Sequence, residues 1–381
     1  MISNVKKSDC CGCAACANVC PKGCIEMVGD EERFKYPRID ESVCIDCGAC
    51  ERACPAIDPP KPKNDIDQTV FAAWNRDPDK RIISTSGGIV SAFSEKIISG
   101  GGCVVGAYYR DDFTVAHMIG STPEDIELLR QSKYMQSDMG IVYREVKKVL
   151  SSGRSVLFCG TPCHNAALRK YLNGNTDNLY QLDFICRGVI SPGVFTEYLK
   201  YLEKKYKSRA IKVQFKNKDY GWNRFSTKIW FENGKEYIKD RYHDPYMLSY
   251  LRYSVSLRPS CYECHFKGTN RYSDITVGDF WGISKKDPSL DEDKGTSLIM
   301  LNTQKGLDLF NSLGDSIIKT QCVIEDIPGG NMCLSKSPKK GEFRELFFKD
   351  LGKKSFGHIF RRYVFRRKLN TALRKIKPAG K

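Results

Sequence analysis

The chain has 381 residues, 41% of them hydrophobic, enough for two or three domains and a sizeable core. Its formal net charge is +16, but residues 351–381 hold eleven Lys and Arg and no acid, which leaves +5 on residues 1–350. The basicity belongs to a tail, so no nucleic-acid partner is expected for the body; no run of 18 apolar residues is present, so no spanning helix is expected either.

The chain opens on its densest signal, two cysteine runs among 18 cysteines in all. Cys10, Cys13, Cys16 and Cys20 precede Pro21; Cys44, Cys47, Cys50 and Cys54 precede Pro55, at a constant offset of 34 residues. Each run has the spacing C-x2-C-x2-C-x3-C-P of a bacterial ferredoxin carrying two 4Fe–4S clusters. A cubane offers four irons, each wanting one soft thiolate. The fourth cysteine of a run ligates the other cluster. This predicts Cys10, Cys13, Cys16 and Cys54 for one centre, and Cys44, Cys47, Cys50 and Cys20 for the second. Gly12, Ala14, Ala15, Gly48 and Ala49 keep side chains small where backbone amides approach sulfur.

Zinc sites use pairs of cysteines across long gaps rather than such runs. Disulfides need an oxidising compartment, and nothing here resembles a signal peptide, so a reducing cytoplasm is expected. Cys11 and Cys24 fall outside the pattern; they read as spare thiols or small buried residues, with Cys24 a competitor for iron.

Residues 1–58 are expected to form the ferredoxin unit and residues 59–68, with Pro59, Pro60 and Pro62, a short stiff linker. Residues 69–335 then alternate strand-like and helix-like segments. Val70–Trp74 and Cys103–Tyr109 read as strands, and Ser86-Gly87-Gly88 opens a helix through Ile98. Thr122 caps a helix with Pro123 in its first turn and Glu124 and Asp125 against the dipole. Strands over Ser155–Cys159 and Tyr180–Ile185 flank a helix from Pro162 to Leu172, and Phe225–Phe231, a Glu232–Lys235 turn and Tyr237–Lys239 read as a hairpin. The fold class expected is α+β, a two-cluster ferredoxin domain followed by a mixed α/β domain. Residues 336–381 form a basic helical tail. There Phe356, Ile359, Phe360 and Tyr363 recur at helical spacing among Arg361, Arg362, Arg366, Arg367 and Lys368. It reads first as a helix covering an apolar patch, and second as a peripheral membrane contact or an acidic-partner dock.

A second set of cysteines comes from three loops: Cys163 in Phe158–Cys163, Cys186 before Arg187-Gly188, and the C-x2-C pair Cys261 and Cys264. Spacing alone leaves a third cluster, zinc and buried free thiols all open. Together with Ser86-Gly87-Gly88, Ser132-Lys133-Tyr134, Gln136-Ser137, Cys186-Arg187-Gly188 and Ser273–Gly282, these motifs resemble the beta subunit of the coenzyme F420-reducing hydrogenases and dehydrogenases, in order to about residue 282. The resemblance implies a FAD domain with its own 4Fe–4S cluster, ligated by Cys163, Cys186, Cys261 and Cys264, with Cys159 a lower-ranked competitor. The family often has histidine where Arg187 stands, which puts the substrate in doubt rather than the cluster.

For the flavin, Ser86, Gly87 and Gly88, and Gly160, Thr161 and Pro162, form Gly-rich turns before helices that suit a phosphate. Neither is a G-x-G-x-x-G fingerprint, so no NAD site is expected. Lys133 is expected to neutralise a phosphate or the reduced flavin, or otherwise to be a solvated lysine. Tyr134 is expected to stack or to pack. His117, on a strand, is the other catalytic candidate, and Asp274 and Asp279 are expected to bond a ribose or order the Cys261–Cys264 loop. The reading is an iron–sulfur flavoprotein oxidoreductase, passing electrons between ferredoxin clusters and FAD and between FAD and an organic acceptor, a deazaflavin coenzyme or a polysaccharide-pathway intermediate. The rival is an electron-transfer subunit of a larger complex without a substrate of its own. Both imply a redox partner protein, a ferredoxin or another oxidoreductase subunit.

Overall fold

The computed structural model describes residues 2, 5–174, 176–327 and 329–363. At its centre is an eight-stranded mixed sheet, built from β3 (Thr69–Asn75), β4 (Cys103–Tyr109), β5 (Val115–Gly120), β6 (Val156–Gly160), β7 (Leu179–Phe184), β11 (Ile275–Asp279), β12 (Ser297–Leu301) and β13 (Ile317–Cys322). Their order across the sheet is β13-β3-β12-β11-β7-β6-β4-β5. The run β4-β6-β7-β11 is parallel, and the strands on either side of it are antiparallel. Its inner strands are apolar on both faces, as Val156–Phe158 and Leu298–Leu301 show, because helices cover both sides.

The faces follow the two-residue period of the strands. Val104, Leu157 and Leu182 pack with Ile89, Phe93 and Ile97 of α4 (Ile89–Ser99) and Phe310 of α10 (Gln304–Asn311). Val105, Val156 and Phe158 face the other way, against α6 (Val142–Ser151) and α7 (Pro162–Leu172). Local sequence starts these helices where it should. Thr122 and Asp125 form a reciprocal cap on α5 (Pro123–Leu129), and Thr161, with Pro162 at the first position, caps α7. The short α3 (Pro78–Ile83), capped by Asp77, follows β3.

A second core lies beside the sheet. It joins α8 (Pro192–Tyr206) and the antiparallel sheet of β8 (Ala210–Asn217), β9 (Ser226–Phe231) and β10 (Glu236–Asp240) to α9 (Pro245–Leu251) and α11 (Arg344–Asp350). The hairpin read from the sequence is β9–β10, with Trp230 opposite Glu236. Residues 356–363 are helical, and Phe356, Ile359 and Tyr363 are buried in this core while the Phe360 ring meets Tyr253 at 5.9 Å. The described turns of the tail therefore cover an apolar patch of the protein itself, the first of the two readings; Arg366, Arg367 and Lys368 lie outside the described residues. Among the described residues no helix is long and apolar enough to cross a membrane.

The N-terminal unit holds α1 (Ala15–Val19), the hairpin β1 (Ile25–Gly29)–β2 (Lys35–Ile39) and α2 (Ala49–Arg52). It packs on the α6–α7 face, where Cys13, Ala14, Ala15 and Ala53 join Met139, Val142, Tyr143 and Val146. Three arginines hold it there. Arg144 donates to the carbonyls of Ala17, Asn18 and Cys20 at 3.1, 2.6 and 3.2 Å. Arg258 donates to those of Cys10 and Lys35 at 2.8 and 3.0 Å. Arg344 takes Glu32 with both arms, Nη1 to Oε1 at 2.6 Å. Residues 59–68 form no regular element and are pinned at several points: Lys63 and Asp65 donate backbone N–H groups to Arg271 and Asn302, and Lys61 accepts from Arg169. The linker is thus a strap laid on the sheet domain rather than a free spacer.

Because Arg344 is buried, with 6% of its side chain exposed, its loss leaves the Glu32 carboxylate without its bidentate partner. Arg344→Met is expected to lower unfolding free energy by about 3 kcal/mol, measured by denaturant unfolding of the anaerobic protein. Its susceptibility to proteolysis within residues 1–58 should rise in parallel.

Candidate iron–sulfur centres

Each quartet turns on left-handed residues, Ala14 before α1 and Gly48 before α2, which fold successive cysteines around one point. The structure brings the sulfurs together in the crossed pattern. Burial lifts the Cys16 thiol to about 12, with Cys10, Cys54 and Cys50 adding to it. Burial likewise lifts Cys54, with Cys10 and Cys50 adding. Cys54 of the second run therefore stands among the thiols of the first. Conversely Cys20 of the first run shares a cavity with Cys44, Cys47 and Cys50. Cys24 lines that cavity too, its sulfur 3.3 Å from that of Cys20. Cys47 is exposed, so this second site reaches the surface, beside exposed Val43 and Ile45.

The later cysteines also converge. Cys163 at the start of α7, Cys186 after β7, and Cys261 and Cys264 line one cavity, whose walls further include Cys11 and Cys333. Thr161 Oγ1 lies 3.0 Å from Cys163 Sγ, and the Val189 N–H donates to Cys261 Sγ at 3.4 Å. Lys267 reaches the carbonyls of Cys186 and Cys333, and Arg187 Nη1 stands 3.9 Å from Cys333 Sγ. Burial pushes Cys261 up to about 12 and Cys186 higher still; Cys163 is lifted well above the thiol range first by its contact with Cys11 and then by burial. Crowded thiols of this kind resist becoming thiolates until a positive core joins them. The donor set is all sulfur and partly buried, which fits an iron–sulfur cluster. No three of the described His, Cys, Asp or Glu side chains converge as a single metal ion requires; a cubane gives each thiolate its own iron.

Three participants were hidden in the sequence. Cys11, expected as a spare or small buried residue, is only half-buried and touches Cys163 across the boundary between the two units. Its place directly after Cys10 was the available signal. Cys333 sits in no motif. Arg258 was detectable only as a basic residue just ahead of Pro259 and the C-x2-C pair. Cys159, the lower-ranked competitor, does not line the thiol cavity and packs with the α4 side of the sheet.

The residues nominated for flavin are mostly engaged by the protein. Ser86 Oγ donates to the Thr296 carbonyl and Gly87 N to Ser297 Oγ, each at 2.9 Å. A Cβ on Gly87 would lie 2.5 Å from the Ala73 carbonyl, so this glycine is needed for close strand packing. Gly88 takes φ +82° as the cap of α4. Lys133 is neither solvated nor free for phosphate: its ammonium meets the carbonyls of Leu128, Leu129 and Arg130 at 3.0, 3.0 and 2.7 Å and so closes the C-terminus of α5. Tyr134 packs on Phe215 and Tyr250 and its carbonyl accepts from Tyr246. Gly160 ends β6, and Thr161 and Pro162 wall the thiol cavity, while Ser86, Gly87 and Gly88 do not. Asp274 binds Lys63, Thr303 and the Gln181 N–H, and Asp279 binds Lys216 and Trp222. Those partners lie outside the Cys261–Cys264 loop that the two aspartates were expected to order.

His117 lies on β5 with Nδ1 2.7 Å from Ser137 Oγ and its ring edge-on to His164 at 5.3 Å. Burial pushes it down to about 4, so the folded protein holds it neutral. An unfolded histidine titrates near 6.5, so the unfolded state binds the extra proton first. Stability from this group is complete above pH ~6.5 and is lost as pH falls toward 4. Replacing His117 by Gln should flatten the loss of denaturant midpoint between pH 7 and 5; an unchanged slope would place the acid sensitivity elsewhere.

With this geometry in hand, comparison with known proteins is informative in two segments. Residues 9–56 match the 4Fe–4S dicluster domain, and residues 153–325 match the family of the C-terminal part of the coenzyme F420 hydrogenase/dehydrogenase beta subunit. A chain of the F420-reducing [NiFe] hydrogenase complex from Methanosarcina barkeri, solved in a xenon-derivatisation study, is similar in structure at 17% identity and a TM-score of 0.47, over 81% of this chain and 94% of that one. No curated protein matches. The chain thus joins a segment similar to the 4Fe–4S dicluster domain to one similar to the C-terminal part of the coenzyme F420 hydrogenase/dehydrogenase beta subunit.

Proposed function

We propose that this chain is an iron–sulfur electron-transfer component of an oxidoreductase, working between a redox partner at its surface and an acceptor beyond its buried thiol cavity. The observation that carries the reading is one cavity in which Cys11 of the ferredoxin unit stands with Cys163, Cys186, Cys261 and Cys264. Clusters held by Cys10, Cys13, Cys16 and Cys54, by Cys44, Cys47, Cys50 and Cys20, and by Cys163, Cys186, Cys261 and Cys264 would exchange single electrons. The protein's own residues do the rest. Arg144, Arg258 and Arg344 hold the two units together, and the exposed rim at Val43 and Ile45 (44% and 58% exposed) offers a partner access to Cys47. Thiolate clusters belong in a reducing compartment, and the cytoplasm suits this one.

The fuller version adds FAD and an organic acceptor, a deazaflavin coenzyme or a polysaccharide-pathway intermediate. Family resemblance supports it. The nominated Ser86, Gly87 and Lys133 fit a flavin poorly, since their donors are already taken. That engagement favours the relay role, inside a larger complex, as the reading for the isolated chain.

Two measurements separate these readings. Iron in the anaerobically reconstituted chain should approach ~12 per protein if three cubanes are bound, and Cys163→Ser should remove about 4; unchanged iron would refute the third site. Flavin released from the same protein should be near zero for a relay and about one FAD per chain for a substrate-reducing enzyme.

A further inference from the structure

Arg258 lies fully buried at the junction of the two cysteine groups. Its Nε donates to the Cys10 carbonyl at 2.8 Å, Nη1 to Gln136 Oε1 at 2.9 Å and Nη2 to the Lys35 carbonyl at 3.0 Å. Nη2 also stands 3.6 Å from Cys10 Sγ, and the guanidinium plane covers the Tyr36 ring at 4.1 Å. None of these acceptors is a carboxylate. A buried cation without an anion costs several kcal/mol, while the other buried arginines nearby have their acids, Arg344 with Glu32 and Arg271 with Asp183. Room for it is built in: Gly12 takes φ +69°, and a Cβ there would lie 2.9 Å from the guanidinium carbon. The missing anion has an obvious source in four thiolates that outweigh the positive charge of a cubane core in either oxidation state.

We propose that Arg258 is a positioning residue that sets potential: its guanidinium is the counter-charge of the cluster ligated by Cys10 and raises that cluster's reduction potential. The inference rests on the ligand assignment above. Reduction adds one electron and no proton, so negative charge beside Arg258 grows by one unit and the cation favours the reduced state.

The test is a dithionite titration, followed by electron paramagnetic resonance, of the reconstituted full chain, with iron and sulfide measured in parallel. In Arg258→Gln the midpoint of the signal that Cys10→Ser abolishes should fall by at least a tenfold change in the one-electron equilibrium, about 59 mV, while the other midpoints stay. Arg258→Lys should recover part of the fall. Gln136→Glu guards against loss of the fold: it leaves the guanidinium in place and gives it a carboxylate, and the same midpoint should again fall. Full iron with that midpoint unmoved in both Arg258→Gln and Gln136→Glu overturns the inference. A wild-type chain that takes up no iron at the quartets would instead refute the ligand assignment itself.

Discussion

Burying many sulfurs close together is the constraint around which the rest of this structure is arranged. A buried thiol is hard to ionise, and each neighbour that ionises makes the next harder. The upward push on Cys16, Cys54, Cys163, Cys186 and Cys261 is this effect seen five times. The fold answers with cations and N–H groups where sulfur crowds: Arg258 by Cys10, Arg187 by Cys333, the Val189 amide by Cys261. In the proposed reading iron would supply the remaining positive charge, making the metal part of the folding problem and not an addition to it.

The sheet domain contributes position. Its parallel strands end in turns at Gly160 and Phe184, and Cys163 and Cys186 follow those turns directly. Side chains gathered just outside the ends of parallel strands are a general consequence of this architecture. Here the third contributor is the loop before β11, carrying Cys261 and Cys264, so three separated segments meet only after the sheet has formed. The ferredoxin cysteine runs are local by comparison, each contained in eleven residues, 10–20 and 44–54.

That difference explains how much was legible beforehand. The quartets could be read from spacing, because the first three cysteines of each run lie in one short loop. The helix starts at Thr122 and Thr161 and the β9–β10 hairpin could be read because capping and turn chemistry act within a few residues. The order of the sheet could not, since β3 lies between β12 and β13, more than two hundred residues downstream. Nor could the roles of Lys133, Arg258 and Cys11. A lysine that closes a helix, an arginine that crosses between units and a thiol that touches a distant thiol look like ordinary residues until the chain brings their partners to them. Ser86-Gly87-Gly88 misled for the opposite reason: a glycine required by close strand packing resembles one required by a phosphate.

The latch between the two units has a character of its own. Arg144 and Arg258 grip the ferredoxin unit through the carbonyls of Cys10, Ala17, Asn18, Cys20 and Lys35, which are main-chain groups. Such a grip reads the path of the loop and is indifferent to most of the side chains on it. Apart from the Glu32 carboxylate taken by Arg344, the electron-carrying unit is therefore held as a shape, and the surface away from Glu32 is free to be recut for a different donor without loosening the joint beneath.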